Sequence, residues 1–270
     1  MEYADERKQA VREQFGKNAE HYVQSQTHAK GDDLKLLVEW LQPQRDWVVL
    51  DIATGGGHVA RTLSAEVDFV VATDLTRPML EAAARANQRE NATNILYVEA
   101  DAEKLPFLDG AFDIVTCRIA AHHFPNPGAF IREVSRVLRV SGSFLFIDNV
   151  VPETKEVADF VNTIEKMRDV IHERCLSPRE WKNLFEQNQL IATREKENKK
   201  KFAFQQWVQR TSESKEQEEA VEQFILQAPD SLRAYLEVQV KDQRVITHQI
   251  DEWMVLCQKE GNDRNDESDT

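Results

Sequence analysis

The sequence has few cysteines and lacks long apolar runs. Three cysteines occur in 270 residues, at Cys117, Cys175 and Cys257, and no two of them form a Cys-x-x-Cys pair. Neither a disulfide framework nor a thiol-rich metal site is therefore indicated. No apolar run approaches the roughly 18 residues that a membrane span needs, and the charged start does not resemble a signal peptide. We predict a reduced, cytoplasmic protein without a membrane span.

Positive charge is also scarce. The chain has 34 lysines and arginines against 47 aspartates and glutamates, a formal net charge of −13. Its one basic cluster, Lys196 with residues 199–201, is short and typical of a solvated face. Because a duplex nucleic-acid binder needs a basic surface to displace counterions, no nucleic-acid partner is predicted. The length and an apolar fraction of 41% suit one α/β core with additions.

Residues 48–57 form the most informative stretch, Val-Val-Leu-Asp-Ile-Ala-Thr-Gly-Gly-Gly. An apolar run without alternation that ends in glycines is typical of a parallel strand buried on both faces and followed by a tight turn. A helix over residues 58–64 is predicted to start directly from this turn. The free backbone N–H groups of such a turn can hold a ligand.

The glycines alone leave two classes of ligand open. Gly55, Gly57 and Ala60 satisfy the G-x-G-x-x-G/A pattern of dinucleotide sites, so a nicotinamide or flavin cofactor fits them. Asp51, which the sequence places inside the turn region, favours S-adenosylmethionine instead, because a carboxylate there repels a pyrophosphate and attracts the sulfonium and ammonium groups of that ligand. The alternative is that Asp51 caps the turn and the glycines only permit close packing.

Two further acidic residues follow the second and third predicted strands. Asp74 lies 17 residues after Gly57, where a carboxylate accepts hydrogen bonds from both ribose hydroxyls; its alternative role is to cap the next helix. Asp101 is expected near Asp51 and Asp74, because the carboxyl ends of parallel strands meet at one edge. A turn-forming role for Asp101 remains equally open. The three carboxylates predict a crevice for a donor-rich ligand.

The loop after the fourth strand carries Arg118, His122 and His123. A histidine at this switch point of the sheet can accept a proton from a substrate, although either one is as well suited to ordering the loop through backbone hydrogen bonds. Arg118 either lines the cofactor crevice or neutralises the acidic residues. Because adjacent histidines point apart and no third ligand follows at helical spacing, no metal site is predicted.

Apolar periodicity predicts the remaining elements. Helices are expected at residues 4–24, 32–41, 76–90, 127–139, 153–173, from 178 onward, and beyond residue 200 at 202–208 and 216–226. Strands are expected at residues 67–73, 95–99, 112–117, 143–150 and 190–194, followed by a β-hairpin at 236–247 and a last strand at 253–257. Ser141 and Gly142 are expected to stop the helix at 127–139, and Ser177 with Pro178 to cap the helix that follows them. Asp148 is expected to close its strand on the ligand side. The polar, acidic tail at 261–270 is predicted to be disordered.

Taken together, the motifs carry a resemblance to a known family. The segments at residues 49–57, 73–75, 101–107, 112–118 and 136–142 resemble the class I S-adenosylmethionine-dependent methyltransferases, in particular the branch with the ubiquinone/menaquinone-biosynthesis C-methyltransferases. The resemblance covers about residues 10–150. It implies a Rossmann-like, doubly wound α/β sheet of seven strands with the last strand antiparallel. The sequence departs from the family at residues 140–142, Val-Ser-Gly, where many members have Pro-Gly-Gly.

The resemblance also implies roles for site residues. Asp51, Ala53 and Gly55 match positions that hold the methionine part of S-adenosyl-L-methionine, with Gly57 completing the turn, and Asp74 matches the ribose-binding acid.

Further matches concern the adenine. Leu75 and Met79 would enclose the ring, Asp101 would accept from its amine, and the backbone of Ala102 would contact a ring nitrogen. A Phe-x-x-x-Ala-x-x-Tyr pattern ends at Tyr22, which would lie across the cofactor in a lid.

These observations predict an S-adenosylmethionine-dependent methyltransferase that acts on a small-molecule acceptor by O-, C- or N-methylation, with His122 or His123 as base. The alternatives are a cofactor-binding protein without catalysis and an NAD-dependent oxidoreductase. The domain organisation implied is an N-terminal helical lid (1–45) and a methyltransferase domain (46–260).

Helical cap elements are expected after strands five and six, at about residues 154–190 and 200–248. Four of their aromatic residues line either an acceptor pocket or the core: Phe160, Trp181, Phe202 and Trp207.

Overall fold

The computed structural model describes residues 2–24 and 31–261. Its strands are β1 Val48–Ile52, β2 Phe69–Asp74, β3 Ile95–Glu99, β4 Phe112–Arg118, β5 Leu138–Val150, β6 Leu190–Ala203, β7 Gln239–Lys241 and β8 Arg244–Lys259. Its helices are α1 Glu2–Gln24, α2 Asp32–Leu41, α3 His58–Ser64, α4 Arg77–Arg89, α5 Pro127–Val137, α6 Lys155–Arg168, α7 Pro178–Glu186, α8 Phe204–Val208, α9 Lys215–Gln227 and α10 Asp230–Tyr235. The predicted disorder of the tail concerns residues that, beyond Gly261, lie outside this description.

The strands form one sheet in the order β3-β2-β1-β4-β5-β8-β6, with the short β7 paired to β8 at the side. Strands β1 to β5 are parallel to one another, whereas β8 runs antiparallel to both β5 and β6. This order confirms the predicted doubly wound α/β fold with an antiparallel strand. The chain reverses its direction of strand addition between β1 and β4, which is where a ligand crevice forms in such sheets.

The first strand continues past its acidic residue. Asp51 pairs in parallel register with Ala72 of β2 and Thr116 of β4. Asp51 therefore lies inside the strand and not in the turn where the sequence placed it, because neighbours on both sides extend the ladder beyond the apolar run.

The turn predicted at Ser141 and Gly142 is a bulge within a strand. Helix α5 ends at Val137 and β5 starts directly at Leu138, while the pairing of β4 with β5 shifts register there. Ser141 has a left-handed backbone with φ of 60°, and a Cβ added at Gly142 would approach the Asp113 carbonyl oxygen to 2.9 Å. The small residue thus permits close strand contact where a helix stop was expected.

The predicted hairpin strand and the predicted last strand are one strand. β8 turns back from β7 through Asp242 and Gln243, whose φ values of 51° and 60° suit a two-residue hairpin, and it then continues for 16 residues. β6 pairs with β8 as far as Ala203, so the sixth strand is much longer than the predicted 190–194.

Two apolar clusters cover the two faces of the sheet. Along β5, Phe144 and Phe146 belong to the cluster packed under α5 and α7, whereas Leu145 and Ile147 belong to the cluster under α2 and α3. This alternation is the period of two expected of a strand buried on both sides. Among the described residues, no helix has both the length and the apolarity that a bilayer crossing requires.

A third cluster, which we call the C-terminal core, joins α6, α8, α9 and α10 with the first half of β8. Phe160 and Trp207 are buried in it and Phe202 packs against it, while Trp181 is buried in the cluster under α5 and α7. The aromatic residues that were considered for an acceptor pocket therefore pack in these cores.

Candidate functional site

A cleft opens at the carboxyl edge of the sheet, where β1, β2 and β4 end beneath α1. It encloses about 1090 Å³ of space, its open mouth included. Of the predicted site residues, the following line it: Asp51, Ala53, Gly55, Asp74, Leu75, Met79, Asp101, Ala102, Arg118 and His123. Gly57 and His122 do not line the cleft. Tyr22 belongs to the residues whose side chains the structure does not describe.

Asp51 is a buried carboxylate at the floor of the cleft, with 1% of its surface exposed. Its two oxygens accept hydrogen bonds from the Thr54 hydroxyl at 2.5 Å and the Thr116 hydroxyl at 2.7 Å. Burial raises the pKa of Asp51 to about 6, although the two hydroxyls and the charge of Arg118 act in the opposite direction. A cationic group bound in the cleft would therefore stabilise the ionised form.

Two glycines of the turn, Gly55 and Gly57, have different surroundings. At Gly55, φ is 53° and an added Cβ would have no atom within 4 Å, so its backbone borders the open cleft where a ligand can approach closely. At Gly57, φ is 74° and an added Cβ would lie 2.6 Å from Asn87 Nδ2 and 3.1 Å from Ala83. Gly57 therefore permits α3 to pack against α4, the close-packing alternative, and does not border the cleft.

Asp74 ends β2 at the next strand end along the sheet. Its Oδ2 accepts from the Gly55 N–H at 3.0 Å and its Oδ1 accepts from the Thr76 N–H at 2.9 Å. Since each carboxylate oxygen has two lone pairs, both can accept one more donor. Burial raises the pKa of Asp74 to about 6, against the effect of these two N–H groups. The carboxylate thus fixes the start of α4 and remains able to bind a diol.

Asp101 is ion-paired, a feature that the sequence did not predict. Lys8 of α1 places its Nζ 2.7 Å from Asp101 Oδ2 and 2.6 Å from Glu103 Oε2. Lys8 lines the cleft together with Val11 and Phe15. A signal was present, because these three residues are spaced by three and four and so share a helical face.

Arg118 lies in the cleft wall beside two acidic residues. It lines the cleft, its Nε lies 2.5 Å from Asp33 Oδ2 of α2, and its charge lowers the pKa of Asp51. The next residue, Ile119, has φ of 53°, a left-handed conformation that is strained for a β-branched side chain. The Ile119 N–H donates to the Ile147 carbonyl at 2.7 Å, which holds the strained residue at the end of β4.

His123 lines the cleft, and its imidazole is neutral there. Its Nδ1 lies 3.2 Å from the Ile171 carbonyl, and because a carbonyl only accepts, Nδ1 carries the hydrogen and Nε2 keeps its lone pair. The ring of Phe15 contacts the His123 ring edge-on at 5.4 Å. Burial and the charge of neighbouring His122 lower the pKa of His123 to about 4.

His122 supports this wall from behind. Its backbone N–H donates to Asp148 Oδ2 at 2.9 Å, and its Nδ1 donates to Asp148 Oδ1 at 2.6 Å. Burial lowers the pKa of His122, but the charge and hydrogen bond of Asp148 outweigh it and raise the pKa overall. Sequence reasoning placed Asp148 at the ligand edge without this pairing, which joins residues 26 positions apart.

The donor set suits a cationic nucleoside. Asp51 provides a buried negative charge, Asp74 provides acceptors for a diol, Leu75 and Met79 provide an apolar wall, and Gly55 leaves space for close approach. Within the described part of the chain, no group of three or more histidine, cysteine, aspartate or glutamate side chains could hold a metal ion. The fold and cleft thus define a doubly wound protein that binds a nucleoside cofactor.

Comparisons with known proteins specify this class further. A family profile described as "Methyltransferase domain" matches residues 50–146. The methyltransferase YcgJ of Bacillus subtilis is 35% identical over 219 residues, 81% of this chain and 87% of YcgJ. A crystal structure described as a methyltransferase from Bacillus halodurans superposes with a TM-score of 0.83 at 35% identity, covering 86% of this chain and 100% of that chain. The chain belongs to the S-adenosylmethionine-dependent methyltransferases, and S-adenosylmethionine is its cofactor.

The likeness to the quinone-biosynthesis branch is partial. The ubiquinone/menaquinone biosynthesis C-methyltransferase UbiE of Bartonella quintana is 36% identical over 118 residues, 42% of this chain and 45% of UbiE. The predicted family and cofactor are confirmed, and the chain is an enzyme of this class and not an NAD-dependent oxidoreductase.

Proposed function

We propose that this methyltransferase modifies a small-molecule acceptor bound beneath α1, with His123 as the base. The observation that carries the proposal is an imidazole in the wall of the cleft whose Nδ1 lies on the Ile171 carbonyl, which leaves Nε2 to accept a proton. A transferase of this kind needs alignment of two reactants, exclusion of water and, for an acidic acceptor, a group that takes the proton.

The cofactor half of the cleft is assigned to the ends of β1, β2 and β3. In this assignment Asp51, Ala53 and Gly55 hold the amino-acid part of the cofactor, and Asp74 accepts from the ribose hydroxyls. S-Adenosylmethionine supplies an electrophilic methyl group on a positively charged sulfur. The buried charge of Asp51 supports the assignment, because it favours a cation over a pyrophosphate.

The adenine is assigned to the wall next to it. Leu75 and Met79 enclose the ring, Asp101 accepts from the exocyclic amine, and the Ala102 backbone contacts a ring nitrogen. All four residues line the cleft, which supports the assignment.

The acceptor half is assigned to the space between α1 and the loop after β4. Val11 and Phe15 of α1 provide apolar surface that excludes water. His123 accepts the proton of a hydroxyl, phenol or acidic carbon at Nε2, while Ile171 holds Nδ1. His122 and Asp148 fix the neighbouring loop from behind. The described helices of residues 1–45, α1 and α2, act as the lid of this space in our proposal.

The UbiE relatives support a small acceptor, since their name assigns them to ubiquinone and menaquinone biosynthesis. The chain shares 42% of its length with them, so their acceptor is not transferred to it. The proposal is limited to a small molecule with an acidic O–H or C–H.

Replacement of His123 by asparagine tests the proposal. We expect turnover to fall about 100-fold to 10,000-fold, because general-base catalysis typically contributes that much. Turnover is measured as transfer of label from S-adenosylmethionine to a panel of phenols, alcohols and compounds with acidic C–H groups. The Kd of S-adenosylhomocysteine, measured by calorimetry, should stay within about threefold, because the base does not hold the cofactor.

Asp74→Ala is the matched control for the cofactor half. It should weaken S-adenosylhomocysteine binding, whereas His123→Asn should not. Unchanged turnover in His123→Asn would contradict the role of the base, and label found only in protein or nucleic acid would contradict a small-molecule acceptor.

A further inference from the structure

Lys8 is held between two carboxylates at the edge of the cleft. Its ammonium lies 2.7 Å from Asp101 Oδ2 and 2.6 Å from Glu103 Oε2, and 14% of its side chain is exposed. Burial lowers the pKa of Lys8, but the two carboxylates outweigh it and raise the pKa overall. Lys8 is therefore a fixed positive charge, and the pair is more sheltered from solvent than an ordinary surface ion pair.

The bonds at Asp101 define what the carboxylate can still accept. Oδ2 accepts from Lys8, and Oδ1 accepts from the Glu103 N–H at 2.9 Å. Each oxygen keeps one lone pair, so the group can take one more donor from the cleft. Two fixed donors also restrict the rotation of the side chain.

Glu103 extends the network to the loop that carries His123. Its Oε1 accepts from the Asn126 N–H at 2.7 Å, while its Oε2 accepts from Lys8. The ammonium therefore connects α1, the residues after β3 and the loop after β4.

Arg7, the neighbour of Lys8, holds α1 to a second segment of the chain. Arg7 pairs with Glu173, and its guanidinium donates to the Val170 carbonyl at 2.9 Å. Two consecutive residues thus bind α1 to two different segments. These two attachments restrain the position of Lys8 at the edge of the cleft.

We propose that Lys8 is a positioning residue for the cofactor: it holds Asp101 as an oriented acceptor for the adenine amine. The inference rests on the proposed assignment of Asp101 to that amine. Lys8 acts through Asp101 and takes no part in methyl transfer. Its contribution is selectivity for adenine over a base that lacks the amine.

Binding of S-adenosylhomocysteine and S-inosylhomocysteine, which has an oxo group in place of the amine, tests this role. The wild type should prefer the adenine compound by about tenfold or more, since a hydrogen bond to a charged group is typically worth that much. Lys8→Met should reduce the preference to within about threefold, because Asp101 loses its orienting charge. Lys8→Arg should retain most of it. Calorimetry on the full chain gives each Kd.

Lys17→Met is the matched control, because Lys17 lies exposed on the same helix, and it should keep the wild-type preference. Asp101→Asn separates the two levels of the inference. If Asp101→Asn abolishes the preference and Lys8→Met keeps it, the role of Lys8 is overturned while the adenine assignment stands. If Asp101→Asn keeps the preference as well, the assignment of Asp101 fails and the role of Lys8 fails with it.

Discussion

Two buried histidines, one behind the cleft and one in the C-terminal core, have pKa values displaced in opposite directions. His122 is 8% exposed and His248 is fully buried. The pKa of His122 is raised, because the charge and hydrogen bond of Asp148 outweigh burial. The pKa of His248 is lowered to about 4 by burial. Burial is common to both residues, so the partner decides the direction.

The surroundings of His248 explain its neutral state. Neither ring nitrogen has a hydrogen-bond partner in the described part of the chain, and Trp207 contacts the ring at 4.3 Å. Glu165 favours the charged form, whereas Arg168 and Arg210 oppose it. Within the described residues, the C-terminal core therefore gives His248 no counter-ion of its own, while the region behind the cleft pairs His122 with Asp148.

Asp51 and Asp74 are the acidic counterparts of His248. Asp51 is buried and Asp74 is half-buried, both are bonded to neutral donors, and the pKa of each is raised to about 6. A bound cofactor would supply the donors and the positive charge that the protein leaves out. His122 and Asp148 thus neutralise each other within the fold, whereas Asp51 and Asp74 face the cleft, where a ligand can bind them.

Removal of the counter-ion should have the largest effect. Asp148→Ala should lower the free energy of unfolding by about 3 kcal/mol, because the His122 side chain and the backbone N–H groups of His122 and Asn149 lose their acceptor. The pKa of His122 is raised in the folded state, so its stabilisation is present below pH 6.5 and is lost as pH rises through the folded pKa.

Urea unfolding of the wild type and Asp148→Ala at pH 6 and pH 9 measures the free energy of unfolding. The decrease caused by Asp148→Ala should be larger at pH 6. Asp159→Ala, which removes an exposed acid paired with Lys155 on α6, should cost less than about 0.5 kcal/mol. An equal loss in both variants would contradict the importance of the buried pair.

Replacement of the unpaired histidine should have a smaller, pH-dependent effect. Because the pKa of His248 is lowered to about 4, wild-type stability falls as pH drops below 6.5, where the unfolded chain takes up a proton and the folded chain does not. His248→Leu removes this contribution to the pH dependence of stability. Its stability relative to wild type should increase by on the order of 2 kcal/mol between pH 7.5 and pH 5.

Denaturant titrations at the two pH values give the difference. Other histidines with lowered pKa values, such as His123 and His172, are present in both proteins and cancel. A constant difference across this range would show that His248 finds a partner for its proton.

The smallest effect is expected in cofactor binding. Protonation of Asp51 and Asp74, whose pKa values lie near 6, removes the negative charge that favours the ligand. The Kd of S-adenosylhomocysteine should therefore increase at least about tenfold between pH 7.5 and pH 5, which is the effect of one such carboxylate. Calorimetry measures the Kd, and Asp74→Asn should flatten the curve. A Kd independent of pH would mean that these carboxylates stay ionised in the free protein.

The sequence was informative wherever a local pattern determines the structure. The apolar run and glycines at residues 48–57 predict β1, the turn and α3, and the alternation around residues 236–247 predicts the hairpin. Asp74 and Asp101 were expected near Asp51 from the geometry of parallel strands alone, and the cleft brings them together. Ser177 was expected to cap α7, and the structure has a full capping box with Glu180 there.

Interactions between distant segments were not predictable. The pairs of Lys8 with Asp101 and of His122 with Asp148 join residues 93 and 26 positions apart, and no spacing rule connects them. β6 extends to Ala203 without apolar alternation, because the backbone of β8 supplies its pairing. Gly57 satisfied a ligand-binding motif, but its environment is the side chain of Asn87.

Strand β8 is shared between the two regions compared above. Val245 and Ile250 belong to the C-terminal core, and Trp253, Val255 and Cys257 belong to the cluster under α5 and α7. Loss of the C-terminal core would release one end of a strand whose other end lies between β5 and β6 in the sheet. We therefore expect the two regions to unfold cooperatively, as one thermodynamic unit, and deletion of the segment after β6 to open the sheet that forms the floor of the cleft.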